Sequence, residues 1–204
     1  MRNTIVAACA AALFAMPGIA GAQDQAVPNE KLDISAFAVN MSNIGTGANA
    51  SVRITIDKWS SAEERQMLVE TMVEKGPDAL LKALQKVPEK GRFSIPGLMG
   101  PDPYQLRLGH SLRYAWQRPI EGGGKRIVII TDRYIGFAEA RNQPRTMDYP
   151  FTLFEIRVGP DGKGEGKMAV ATKITFDKVA RQVELENYSS EPVRLNAVQA
   201  KAKK

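Results

Sequence analysis

The run Lys125 to Val158, KRIVIITDRYIGFAEARNQPRTMDYPFTLFEIRV, constrains the fold more than any other stretch of this chain. Its opening, Ile127-Val128-Ile129-Ile130, is apolar on both faces of any strand it forms. A strand open to water on one side would alternate; this one reads as central, covered on both sides. The run closes with Phe151 to Val158, again β-branched and aromatic. Between the two lie Asp132, Arg133, Glu139, Arg141, Asn142, Gln143, Arg145 and Asp148, a polar connection richer than a turn requires. That connection is the first place to look for a site.

The rest of the chain supplies partners for such a strand. Leu32 to Met41 carries apolar residues on both faces, and Val52, Ile54 and Ile56 alternate with Arg53, Thr55 and Asp57. These two segments predict a hairpin. Leu112, Tyr114 and Trp116 alternate with Arg113, Ala115 and Gln117, and Met168–Phe176, Gln182–Tyr188 and Val193–Ala197 continue the pattern. Gly159-Pro160-Asp161-Gly162 is a tight-turn signal. Short strands separated by turns predict a single α+β domain: an antiparallel sandwich or barrel-like sheet of about eight strands.

One interruption is helical. Ser60 with Glu63, or Ser61 with Glu64, satisfies the spacing of a capping box, and Leu68/Met72 and Val69/Val73 repeat at i,i+4. Gly76-Pro77 ends one helix and starts the next, so helices are expected near 61–75 and 77–87. Gly91 to Gly109, rich in Gly and Pro yet apolar, is expected to form neither helix nor central strand and to pack down as a cover.

The first 22 residues stand apart. A basic opening, an apolar run from Ile5 to Ile19 and the small residues Ala20-Gly21-Ala22 predict a signal peptide cleaved before Gln23. Residues 23–31 then form a loose lead-in, 32–198 the domain and 199–204 a solvated basic tail. The lone cysteine, Cys9, leaves with the signal, so the exported chain relies on a packed core instead of disulfides. Its 27 basic and 22 acidic residues are scattered, which points to no nucleic-acid partner. No later apolar run approaches the roughly 20 residues that cross a bilayer.

The catalytic inventory is thin. One histidine, His110, and no thiol exclude an ordinary zinc site. Gly109-His110-Ser111 lacks the closing glycine of a nucleophile elbow, because position 113 is Arg. Gly122-Gly123-Gly124-Lys125 is not a phosphate loop: Pro119 stands where the first glycine belongs, and a strand follows instead of a helix. No cofactor, metal or catalytic residue is therefore assigned. Asp132, Glu139, Asp148 and Glu155 are the carboxylates a hydrolase would draw on, but Arg133, Arg141, Arg145 and Arg157 share the stretch and would pair with them.

The segments FAEARNQPR (137–145), DYPFTLFEIR (148–157) and GKGEGK (162–167) resemble a family of exported bacterial proteins, over about Ile34 to Arg194. The resemblance implies export and a single domain, and carries over no site. The residues then suggest a periplasmic or secreted, non-catalytic binding protein for a small amphipathic or anionic ligand. Arg133, Arg141, Asn142, Arg145, Asp148, Tyr149 and Trp116 are its candidate contacts. An envelope interaction or assembly protein without a pocket is the alternative, and a carboxylate-based hydrolase the second.

Overall fold

The computed structural model describes residues 30–41, 49–97, 107–133, 135, 151–170, 174–177, 182–185 and 193–203. The expected signal peptide, residues 23–29 of the lead-in and residues 98–106 of the apolar cover lie outside the described residues.

Among the described residues ten strands and two α-helices run in the order β1 (Leu32–Asn40), β2 (Asn49–Ile56), α1 (Ala62–Lys75), α2 (Pro77–Lys86), β3 (Gly91–Ser94), β4 (His110–Pro119), β5 (Lys125–Thr131), β6 (Thr152–Val158), β7 (Lys163–Val170), β8 (Ile174–Asp177), β9 (Gln182–Leu185) and β10 (Val193–Ala202). Eight of the strands close an antiparallel barrel in the order β1-β10-β7-β6-β5-β4-β3-β2, while β8 and β9, among the described residues, pair with each other. Closure leaves the barrel without an exposed edge.

Among the described residues the barrel interior is lined by apolar side chains. In β1 the alternation is clean: Leu32, Ile34, Ala36 and Ala38 point inward, and Asp33, Ser35, Phe37 and Val39 point out. They meet Val52, Ile54 and Ile56 of β2, Phe93 of β3, Ile127 and Ile129 of β5, Phe154 and Ile156 of β6 and Met168 of β7. The rings of Phe93 and Phe154 lie 5.2 Å apart. An eight-stranded barrel has an interior that side chains of this size fill.

The central strand behaves as its sequence demands. Ile127 and Ile129 enter the barrel, whereas Val128 and Ile130 face outward and are covered by the helical pair. Leu68 and Met72 of α1, with Leu80 and Leu84 of α2 and Val87 beyond it, form that second layer together with Tyr114 and Phe151. Of the two caps the sequence allows, Ser61 and Glu64 make the capping box: the Glu64 N–H donates to Ser61 Oγ, and the Ser61 N–H to Glu64 Oε2, both at 3.1 Å. Ser60 is buried instead, its Oγ accepting from the Ala115 N–H at 3.3 Å.

Four expectations need correcting, and each has a backbone cause. Residues 91–94, expected to be irregular, form barrel strand β3. Gly91 makes this work, since a Cβ there would sit 1.9 Å from the Thr55 carbonyl oxygen, and the prolines come only after the strand. Leu112 does not share a face with Tyr114 and Trp116. A bulge between Leu112 and Tyr114 shifts the phase, so Leu112 and Ala115 point inward and the two aromatics lie under the helices. The single strand expected over 168–176 is two, because β7 begins at Lys163 and β8 leaves the barrel.

The last correction concerns the tail. Strand β10 runs to Ala202, pairs Leu32 with Ala202, and continues into a Lys203 N–H that donates to the Lys31 carbonyl at 2.8 Å. A bulge holding Ala197 at φ 50° slips the alternation. Beyond it the inward residues are Val198 and Ala200, and alanine and lysine carry little strand signal of their own.

Burial under the helices pushes the Tyr114 phenol up from its ordinary 10.0 to about 12, although the nearby Arg65 guanidinium works the other way. The unfolded chain ionises Tyr114 at its ordinary value and the folded one resists. This contribution is therefore complete below pH 10 and lost as pH rises through about 12. We expect Tyr114→Phe to flatten that part of an alkaline unfolding profile by on the order of 2 kcal/mol. Superimposable profiles from pH 9 to 12 would place the phenol in contact with water.

Candidate functional site

Among the described residues the inward side chains of the barrel are apolar, and the charged side chains gather on the outer face. There the strand register assembles one row of side chains from four strands. Val39 of β1 pairs with Arg194 of β10, Arg194 with Lys167 of β7, and Lys167 with Glu155 of β6. A second row sets Glu165 of β7 opposite Arg157 of β6, and Arg157 opposite Arg126 of β5. Direct cross-strand neighbours stand about 5 Å apart at Cβ, so the two rows form one charged field.

Between them lies an open groove of 160 Å³ lined by Glu155, Arg157, Glu165, Gly166, Lys167 and Arg194. Its floor is Glu155, whose side chain is only 7% exposed. Arg126 grips that carboxylate with Nη2 donating to Oε2 at 2.9 Å and Nε 2.8 Å from Oε1, and Arg157 Nε donates to Oε1 at 3.0 Å. Charge-assisted pairs of this kind offset the cost of burying the carboxylate and hold the two guanidinium groups in fixed positions.

Glycine decides the shape of the groove. Gly164 and Gly166 face inward on β7, opposite Val158 and Ile156, while Lys163, Glu165 and Lys167 face out. A Cβ on Gly164 would lie 1.8 Å from the Arg157 carbonyl oxygen, and one on Gly166 2.8 Å from that of Glu155. The alternating Gly-Lys-Gly-Glu-Gly-Lys therefore lets β7 press against β6 while aligning charge on the outside.

The residues expected at the site are placed as follows. Arg141, Asn142, Arg145, Asp148 and Tyr149 lie outside the described residues. Arg133 is exposed, and its carbonyl accepts from Thr131 Oγ1 at 2.6 Å and Thr152 Oγ1 at 3.1 Å, anchoring the start of the connection. Trp116 packs beneath α1, with the Arg65 guanidinium 5.6 Å from its ring centroid. Asp132 is buried against Arg113, whose Nε donates to Oδ2 at 3.1 Å and whose Nη1 donates to the Val87 carbonyl at 3.1 Å. This pair ties the helical layer to the barrel.

Among the described residues no group of three His, Asp or Glu side chains is placed to hold a metal, and no helix is long and apolar enough to cross a membrane. Comparison with protein-family models, with curated proteins and with solved structures finds no match.

Glu155 and Arg157 are legible as a charged pair within the central run, whereas Arg126, Glu165, Lys167 and Arg194 become their companions only through the strand pairing. The alternation of glycine with charge over 162–167 was the available signal.

Proposed function

We propose that this is an exported, non-catalytic binding protein that receives an anionic group in the groove on the outer face of β6, β7 and β10. The observation that carries the reading is the convergence of Arg157, Lys167 and Arg194 around a recess whose two carboxylates are Glu155, paired with Arg126 and Arg157, and Glu165 at its rim, so that cations outnumber acids in the lining. Glu155 held by two guanidinium groups suits a charge partner that fixes donors in place, and suits proton transfer poorly. The apolar lining of the barrel interior supports an external site for a charged group. The recess has room for a phosphate- or sulfate-sized head.

Inorganic phosphate is a direct probe. A dissociation constant on the order of 1 mM, weakening as sodium chloride is raised, is expected for a charged, open site. Arg157→Ala should weaken it about tenfold, the loss of one charge-assisted contact, without unfolding, because the Arg157 side chain is 63% exposed. Phosphate binding that is absent, or indifferent to Arg157, would sink this reading.

Export has its own test. The form recovered from outside the cytoplasm should have the mass of a chain starting at Gln23, because the apolar run before Ala20-Gly21-Ala22 is too short to anchor. A soluble form that keeps Met1 to Ala22 would remove export from the proposal.

A further inference from the structure

Strand β1, whose Val39 pairs with the groove residue Arg194, carries an apolar stripe on its outer face. Outward positions of β1 begin polar, with Asp33 and Ser35, and then turn apolar at Phe37 and Val39; Met41 follows just past the strand. Phe37 is 42% exposed and Met41 56%. The neighbours of Phe37 on either side are Ser51 and Asn196, neither large enough to cover its ring. Single exposed apolar side chains are common, but this is a run along one strand, and it abuts a charged recess.

Register makes the connection specific. Val39 stands directly opposite Arg194, and Arg194 lines the groove. From Phe37 to Met41 the stripe is about 13 Å long at ~3.3 Å per residue, and one strand, about 4.8 Å, wide. A bilayer surface or a protein helix would need a broader apolar area. A single alkyl chain fits a stripe of this width and length.

We infer that the occupant is a single-chain amphipathic anion, its head in the groove at Arg157, Lys167 and Arg194 and its alkyl chain along Phe37, Val39 and Met41. This rests on the reading of the groove as an anion site and adds the nature of the molecule that carries the anion. The head supplies charge complementarity, and the chain takes apolar surface of β1 and of itself out of water together.

Decyl phosphate kept below its micelle threshold, inorganic phosphate, and vesicles of anionic phospholipid are the three probes, read by isothermal titration and native mass spectrometry. Decyl phosphate should bind as one added mass and at least about tenfold more tightly than inorganic phosphate, given the gain from apolar contact. Phe37→Ser should abolish that advantage and leave inorganic phosphate binding unchanged. Met41→Gln, which alters a side chain outside the strand, should reduce the advantage even if the Phe37 variant folds poorly. Equal affinity for decyl and inorganic phosphate would overturn the inference while the anion site stands. Binding of neither would remove both. Vesicle binding that exceeds monomer binding and ignores Phe37→Ser would also overturn it, in favour of a lipid surface.

Discussion

Gly164→Ala is expected to cost about 4 kcal/mol or more, among the larger effects a single methyl group can have. The added Cβ would lie 1.8 Å from the Arg157 carbonyl oxygen and 2.9 Å from Val158 Cα. Both obstacles are backbone, so no rotamer change relieves them. Strand β7 must move off β6, and the ladder from Thr152↔Val170 to Val158↔Gly164 must open or shift. The barrel has no free edge to absorb such a shift, because β7 is also held by β10. Gly122→Ala is the control. Its φ of +82° penalises a side chain, but nothing lies within 4 Å of the added atom, so about 1 kcal/mol is expected. Thermal unfolding of the two variants separates steric exclusion from backbone strain, and similar melting points would show that β6 and β7 are not packed this closely. Arg157 reports on the same event, since opening the ladder removes the groove.

What the sequence made legible follows a physical rule. Where a pattern stays in phase, it can be read. Ile127 to Ile130 declares cover on both faces, and Ile127 and Ile129 indeed meet the barrel core while Val128 and Ile130 meet the helices. The capping box at Ser61 and Glu64 and the Gly76-Pro77 junction mark the helical pair to within a residue or two, because caps are local chemistry. Where a bulge slips the phase, reading fails. The alternation groups Trp116 with Leu112, yet it lies on the opposite side of β4, and Ala200, which falls in the expected tail, packs against the barrel core.

The groove was illegible for a different reason. Arg157, Lys167 and Arg194 come from strands made adjacent by the order β6-β7-β10, with β8 and β9 intervening in the chain between the last two. Local periodicity carries no information about that adjacency. Within the central run it is the closing strand β6, beyond the polar connection, that contributes Glu155 and Arg157, because its pairing turns those positions outward.

Glu64→Ala is expected to cost about 3–5 kcal/mol, and Lys90→Met far less, although the two residues form one ion pair. Lys90 Nζ lies 2.6 and 2.8 Å from the two Glu64 oxygens, yet the exposures differ: the Lys90 side chain is 6% exposed and that of Glu64 27%. Removing Glu64 strands a buried ammonium among groups that cannot replace the lost acceptor. It also removes half of the capping box, whose backbone donor on Ser61 needs Glu64 Oε2. Removing the lysine charge while keeping its length leaves a carboxylate that reaches water and still caps α1. Lys90 holds more than the helix, because its carbonyl accepts from the Asp57 and Lys58 N–H groups and its own N–H donates to Leu112. Those backbone bonds survive Lys90→Met. The double variant should therefore be as stable as Lys90→Met less the cap, about 1 kcal/mol, so that Lys90→Met rescues most of what Glu64→Ala loses. Denaturant titration of the four proteins gives the coupling directly. Equal losses for the two single variants, with no rescue, would mean that Lys90 reaches solvent and that the pair does not anchor the helical layer to the barrel.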